Sequence, residues 1–101
     1  MNEVDDRGSK PGWTSAHWLV SGRVQGVGFR YHVLHSARRF GVIGDVRNLA
    51  DGRVEIRAAG PGDDIAELLA AVRTGPPGSQ VRSIETRDLE QGLNFDTFMI
   101  R

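Results

Sequence analysis

The chain has 101 residues, and its 13 basic and 13 acidic side chains cancel to a formal charge of zero. That length builds one domain with a small core and leaves no room for a second. Neutral charge gives no whole-chain attraction to nucleic acid or to membranes. The absence of cysteine excludes disulfides, thiolate metal sites and cysteine nucleophiles. The longest apolar run falls far short of the ~20 residues a spanning helix needs. The charged first residues do not form a secretory signal. The expectation is a soluble cytoplasmic protein, monomeric, with no membrane or nucleic-acid partner.

Residues 1–14 are polar and aperiodic, which predicts a flexible tail ahead of a domain over 15–101. From Ala16 to Val24 the alternation puts Trp18, Val20, Gly22 and Val24 on one strand face and His17, Leu19, Ser21 and Arg23 on the other. A helical period follows, with Phe29, Val33, Ala37 and Phe40 on one stripe and Gly41 as its stop. Val42–Asn48 and Arg53–Ala59 read as strands joined by a hairpin through Asp51-Gly52. Gly60-Pro61-Gly62 closes that pair, and Asp63-Asp64 is expected to cap a second helix with a stripe at Ile65, Leu68, Leu69 and Val72. Val81–Arg87 and Phe95–Ile100 read as the last strands. A strand–helix–strand unit used twice predicts an α+β, ferredoxin-like two-layer sandwich: an antiparallel sheet, two helices on one face and a short terminal strand.

The stretch that stands out runs Gly22-Arg23-Val24-Gln25-Gly26-Val27-Gly28-Phe29-Arg30. A strand that turns through two close glycines into a helix aims free backbone N–H groups at one spot, and the helix dipole adds positive potential there. Glycine at 26 and 28 opens backbone angles closed to other residues and keeps side chains away from a ligand. Arg30 adds a fork of donors suited to phosphate or carboxylate. The first turn carries no Asp or Glu, a place an external anion would fill. This is the pattern of an anion cradle over Gln25, Gly26, Val27, Gly28, Phe29 and Arg30, although a plain glycine turn with a solvated arginine reads the same way. No Gly-Lys-Ser or Gly-Lys-Thr follows, and Tyr31 stands where a dinucleotide fingerprint needs glycine, so nucleotide binding is not supported.

These residues, with Gly41-Val42-Ile43-Gly44, Val46-Arg47-Asn48, Asp51-Gly52-Arg53-Val54-Glu55, Gly75-Pro76 and Phe98-Met99-Ile100, resemble the acylphosphatase signature over about Ser15 to Arg101. The resemblance implies that Arg30 and the loop amides hold the phosphate of a small acyl phosphate, or a similar anion such as inorganic phosphate. It implies that Asn48, which otherwise reads as a turn asparagine, orients the attacking water. An amide can fix a water's direction through its donor and acceptor without taking a proton. The chain departs from the pattern at Asp45, where relatives commonly carry a large aromatic. That change is expected to alter the wall beside the site and substrate preference.

The rest of the sequence offers no serine–histidine arrangement, no activated lysine and no carboxylate pair near these motifs, and no role is assigned to His17, His32 or His35. Most hydrolyses need such groups. The leaving group of an acyl phosphate is a carboxylate whose conjugate acid has a pKa of ~4, so it departs without a general acid. Positioning and charge stabilisation can then carry the reaction, with no metal and no cofactor required. The competing readings are a non-catalytic module that recognises a phosphorylated partner, and RNA binding. Retention of both Arg30 and Asn48 speaks against the first. Arg53-Val54-Glu55-Ile56-Arg57 lacks the aromatics on which RNA-recognition strands stack bases, which speaks against the second.

Overall fold

Alternation along the first strand, β1 (Trp13–Arg23), turns Trp18 and Val20 to one side and His17 and Ser21 to the other, and the remaining elements pack around it. The structure, a computed structural model, describes residues 12–89 and 95–101. After β1 come α1 (Phe29–Arg39), β2 (Ile43–Asn48), β3 (Val54–Pro61), α2 (Gly62–Thr74), β4 (Gln80–Arg87) and β5 (Phe98–Ile100). The strands form one sheet in the order β4-β1-β3-β2-β5. Strand β1 lies antiparallel to β3 and β4, and β2 lies antiparallel to β3. Each strand–helix–strand unit therefore spans one intervening strand, which makes the fold the expected ferredoxin-like α+β sandwich.

The sheet is mixed rather than antiparallel throughout, because β5 runs parallel to β2. Strand β5 has the direction of β1 and β2, opposite to β4, and lies on the outer edge of β2. It begins at Phe98, three residues later than the spacing predicts. At the other end, Trp13 and Thr14 already pair with Pro61 and Gly60, inside the segment expected to be a tail. Residues 1–11 of that expected tail lie outside the described residues.

Both helical stripes face the same side of the sheet. Phe29, Val33 and Ala37 of α1 and Ile65, Leu68 and Val72 of α2 join Val20, Val46, Val54 and Ile56 in one buried cluster. Helix α1 lies over β2 and β5, α2 over β1, β3 and β4, and the helices touch each other. Asp63 and Asp64 do not cap α2. Strand β3 runs straight into the helix at Pro61, so the two acids fall in its first turn, where they act on the dipole.

The β2–β3 pairing depends on Gly44. Its φ is 145°, and a Cβ there would lie 1.9 Å from the backbone oxygen of Arg57. The neighbour is main chain and cannot give way. Gly44→Ala is therefore expected to destabilise the fold by about 3 kcal/mol or more, whereas Gly52→Ala, where a Cβ meets nothing, costs only its backbone strain of about 1–2 kcal/mol. Equilibrium urea unfolding of both variants checks the difference; equal losses would contradict it.

Candidate anion site at the first strand–helix junction

Residues 24–28 leave β1 without entering another ladder, and α1 begins at Phe29. Gly26 and Gly28 both sit at φ 76°, in the left-handed region, and Gly28 is the N-cap of α1. A Cβ at either would meet nothing within 4 Å, so the demand for glycine here is conformational. The helix has no side-chain cap and no acid in its first turn, while Arg38 and Arg39 occupy its last. Its first backbone bond runs from the His32 N–H to the Gly28 oxygen at 3.0 Å. Among the described residues, the backbone N–H groups of residues 25–30 have no backbone acceptor. Free amides at a helix start, with the dipole behind them, favour negative charge.

A concavity of about 130 Å³ opens at this junction, lined by Val24, Gly26, Gly28, Phe29, Arg30, Tyr31 and Asn48. It unites Arg30 and Asn48, which are 18 positions apart in sequence, because α1 packs over β2 and Asn48 ends that strand opposite Val54. Phe29 is a wall and an anchor at once, being 1% exposed in the core. The Arg30 guanidinium donates from NH1 to the main-chain oxygen of Arg101 at 2.9 Å. One donor is thus committed, and the rest of the fork is uncommitted among the described residues.

Two of the sequence-predicted loop residues do not line the concavity. Val27 packs against the hydrophobic core. Gln25 turns its amide to the β2–β3 hairpin, where Nε2 donates to the oxygens of Leu49 at 2.8 Å and Arg53 at 2.9 Å. The same oxygens accept the hairpin's own bonds, from Gly52 to Leu49 and from Leu49 to Arg53. Gln25 thereby ties the glycine loop to the turn that follows Asn48, a role that its place in the motif did not reveal.

Asp45 does not form a wall of the concavity. Val46 next to it points into the core, so Asp45 emerges on the opposite sheet face, where it is 2% exposed. There Arg57 binds both its oxygens and Arg101 donates Nε to Oδ2 at 2.6 Å. Burial pushes the Asp45 carboxyl up, but hydrogen bonds and charge from Arg57 and Arg101 outweigh it and hold the carboxyl below its ordinary value. On the same face, burial raises Glu55 and its hydrogen bonds to His17 and Arg47 prevail, leaving it lowered too. His32 bonds the oxygen of Ala71 at 2.9 Å and so links α1 to α2.

A sequence model of the acylphosphatase family, described as "Acylphosphatase", matches residues 16–100. The chain is 46% identical over 83 residues to an acylphosphatase from Koribacter versatilis, covering 82% of this chain and 76% of that one. Among solved structures, it superposes on the acylphosphatase of Bacillus subtilis with a TM-score of 0.81 at 39% identity, covering 86% of this chain and 97% of the other. It superposes on an acylphosphatase from Coxiella burnetii with a TM-score of 0.84 at 31% identity, covering 98% and 100%.

Two outcomes test this geometry. Gln25→Leu removes both donations while keeping bulk, and leaves the Leu49 and Arg53 oxygens with their hairpin bonds; urea unfolding should show a loss of about 1–3 kcal/mol. The lowered Asp45 carboxyl stabilises the fold in full above the ordinary carboxylate range, and this contribution is lost as pH falls through its depressed native value. Stability should hold from neutral pH to about pH 5 and fall below about pH 4. The acid slope should be shallower in Asp45→Asn, and an unchanged slope would contradict the assignment.

Proposed function

Since the chain belongs to the acylphosphatase family and its reaction is hydrolysis of acyl phosphates, we propose that the concavity between α1 and β2 is where that reaction occurs. Arg30 and the backbone amides of residues 25–30 hold the phosphoryl group, and Asn48 orients the water that attacks it. The observation that carries this reading is the meeting of Arg30, Asn48 and the two left-handed glycines around one small opening.

The chemistry follows from the donors present. In the ground state the phosphate oxygens already bear negative charge, and the amides and the Arg30 fork neutralise it without reorganising. Phosphoryl transfer passes through a loose transition state in which positioning and charge stabilisation do nearly all the work. Asn48 offers one donor and one acceptor to a water, fixing its lone pair toward phosphorus. As that water's oxygen bonds to phosphorus, the phosphorus–oxygen bond to the acyl group breaks. The electron pair leaves with the carboxylate, and the water's proton passes to the phosphate or to solvent. Carboxylate and inorganic phosphate are released.

A small opening that closes around one phosphoryl group leaves the acyl end outside, toward the exposed Tyr31. The substrate is thus read by its phosphate more than by its acyl group. We place the protein in the cytoplasm as a monomer. No helix among the described residues is long and apolar enough to cross a membrane.

The experiment is hydrolysis of benzoyl phosphate with a chelator present. The native chain is expected to turn over undiminished. Arg30→Ala and Arg30→Lys should each lower kcat/KM by about 100-fold or more, since charge-assisted bonds are worth ~1.5–3 kcal/mol each and lysine lacks the fork. Asn48→Ala should lower kcat by a similar factor with little change in phosphate affinity, because it acts on the water. A folded native chain that binds inorganic phosphate without turnover would overturn the catalytic reading and leave a recognition module. Full activity in Arg30→Ala would overturn the site.

A further inference from the structure

Asp45 is the one buried charged side chain among the described residues, and it lies on the sheet face turned away from the helices and the concavity. Across the β2–β3 ladder it stands directly opposite Arg57. Arg57 donates Nε to Oδ1 at 2.9 Å and binds Oδ2 with NH2, and its guanidinium lies 5.6 Å from the centre of the Phe95 ring. The second partner of Oδ2 is the Nε of Arg101. A carboxylate so deeply buried is held in one place by this bonding.

Arg101 is therefore gripped twice. Its side chain is fixed by Asp45, and its backbone N–H donates to the Val46 oxygen at 2.9 Å. Its remaining backbone group, the main-chain oxygen, is the acceptor for NH1 of Arg30. From Asp45 to Arg30 the contacts are unbroken, and they pass around the edge of the sheet from one face to the other.

We infer that Asp45 is a positioning residue for Arg30, acting through Arg101. The inference rests on Arg30 being the phosphate ligand proposed above. A long guanidinium side chain at the start of a helix loses considerable rotamer freedom when it grips an anion. An acceptor already fixed by Asp45 takes that loss during folding instead of during binding. It engages one NH1 donor and aims the remainder of the fork at the concavity. Asp45 itself never touches the substrate.

The test combines a ligand-free readout with a binding one, on the native chain, Asp45→Asn, Arg101→Ala and the double variant. Nitrogen-15 relaxation of the Arg30 Nε–H reports the order of that side chain, and titration with inorganic phosphate reports affinity. Both single variants should loosen Arg30 and raise the phosphate Kd by about tenfold, with KM for benzoyl phosphate rising more than kcat falls. The double variant should be no worse than the weaker single one, because both act through one contact. Arg101→Lys should restore part of the order. Should Asp45→Asn not fold, Arg101→Ala decides alone, since its side chain is half exposed and its loss removes the grip of Asp45 without deleting the backbone acceptor itself. A folded Arg101→Ala with native Arg30 order and native phosphate affinity would overturn the inference, as would losses that multiply in the double variant. If the native chain binds no phosphate, the functional reading fails by itself, and the order of Arg30 still decides the role of Asp45.

Discussion

One side-chain amide holds the halves of the site together. Gln25 sits in the glycine loop and donates both Nε2 hydrogens to the hairpin that follows Asn48, at Leu49 and Arg53. A loop with two left-handed glycines has little restraint of its own, since each glycine gains conformational freedom when released. Tying it to an antiparallel hairpin whose turn is already bonded gives the loop the rigidity of the sheet. Gly26, Gly28, Phe29, Arg30 and Asn48 line one opening, and Gln25 ties together the two elements that carry them.

The fold serves that arrangement. A split strand–helix–strand unit brings the end of β2 next to the start of α1, although β3 separates β1 from β2 in the sheet. Phe29 anchors the first turn of α1 in the core directly beside Arg30, so a buried aromatic fixes the backbone that carries the half-buried cation. On the opposite face, the buried carboxylate of Asp45 is bound by the part-exposed Arg57 and the half-exposed Arg101, where an apolar residue would have sufficed. Burying such a group is costly and rarely gains stability over a hydrophobic replacement. In the positioning role inferred for Asp45, the carboxylate acts on Arg101 and through that residue on Arg30.

Much of this was legible in the sequence because it is local. The strand's alternation, the helical stripes at Val33 and Ala37 and at Leu68 and Val72, and the Asp51-Gly52 turn all act over a few residues. The glycine loop could be recognised for the same reason, and it brought Arg30 with it. What escaped was non-local. The partners of Gln25 lie more than twenty positions away, and no spacing rule reports them. The direction of β5 against its neighbour is not encoded in a strand of three residues; it follows from the edge the strand joins, β2 and not β4. Asp45 was placed beside the site on the strength of a family resemblance. The inward-facing Val46 next to it was the available signal that its side chain would point the other way.

The account stands on one claim, that a phosphate group binds the amides and guanidinium at the start of α1. Titrating inorganic phosphate while following backbone amide and arginine Nε chemical shifts tests it most directly. The account predicts that the largest shifts fall on residues 25–30 and on the Arg30 Nε, follow a single saturating curve, and are lost in Arg30→Ala. Shifts centred elsewhere, on Arg23 and Arg82 or on the His17–Arg47 face, with the glycine loop unmoved, would contradict it.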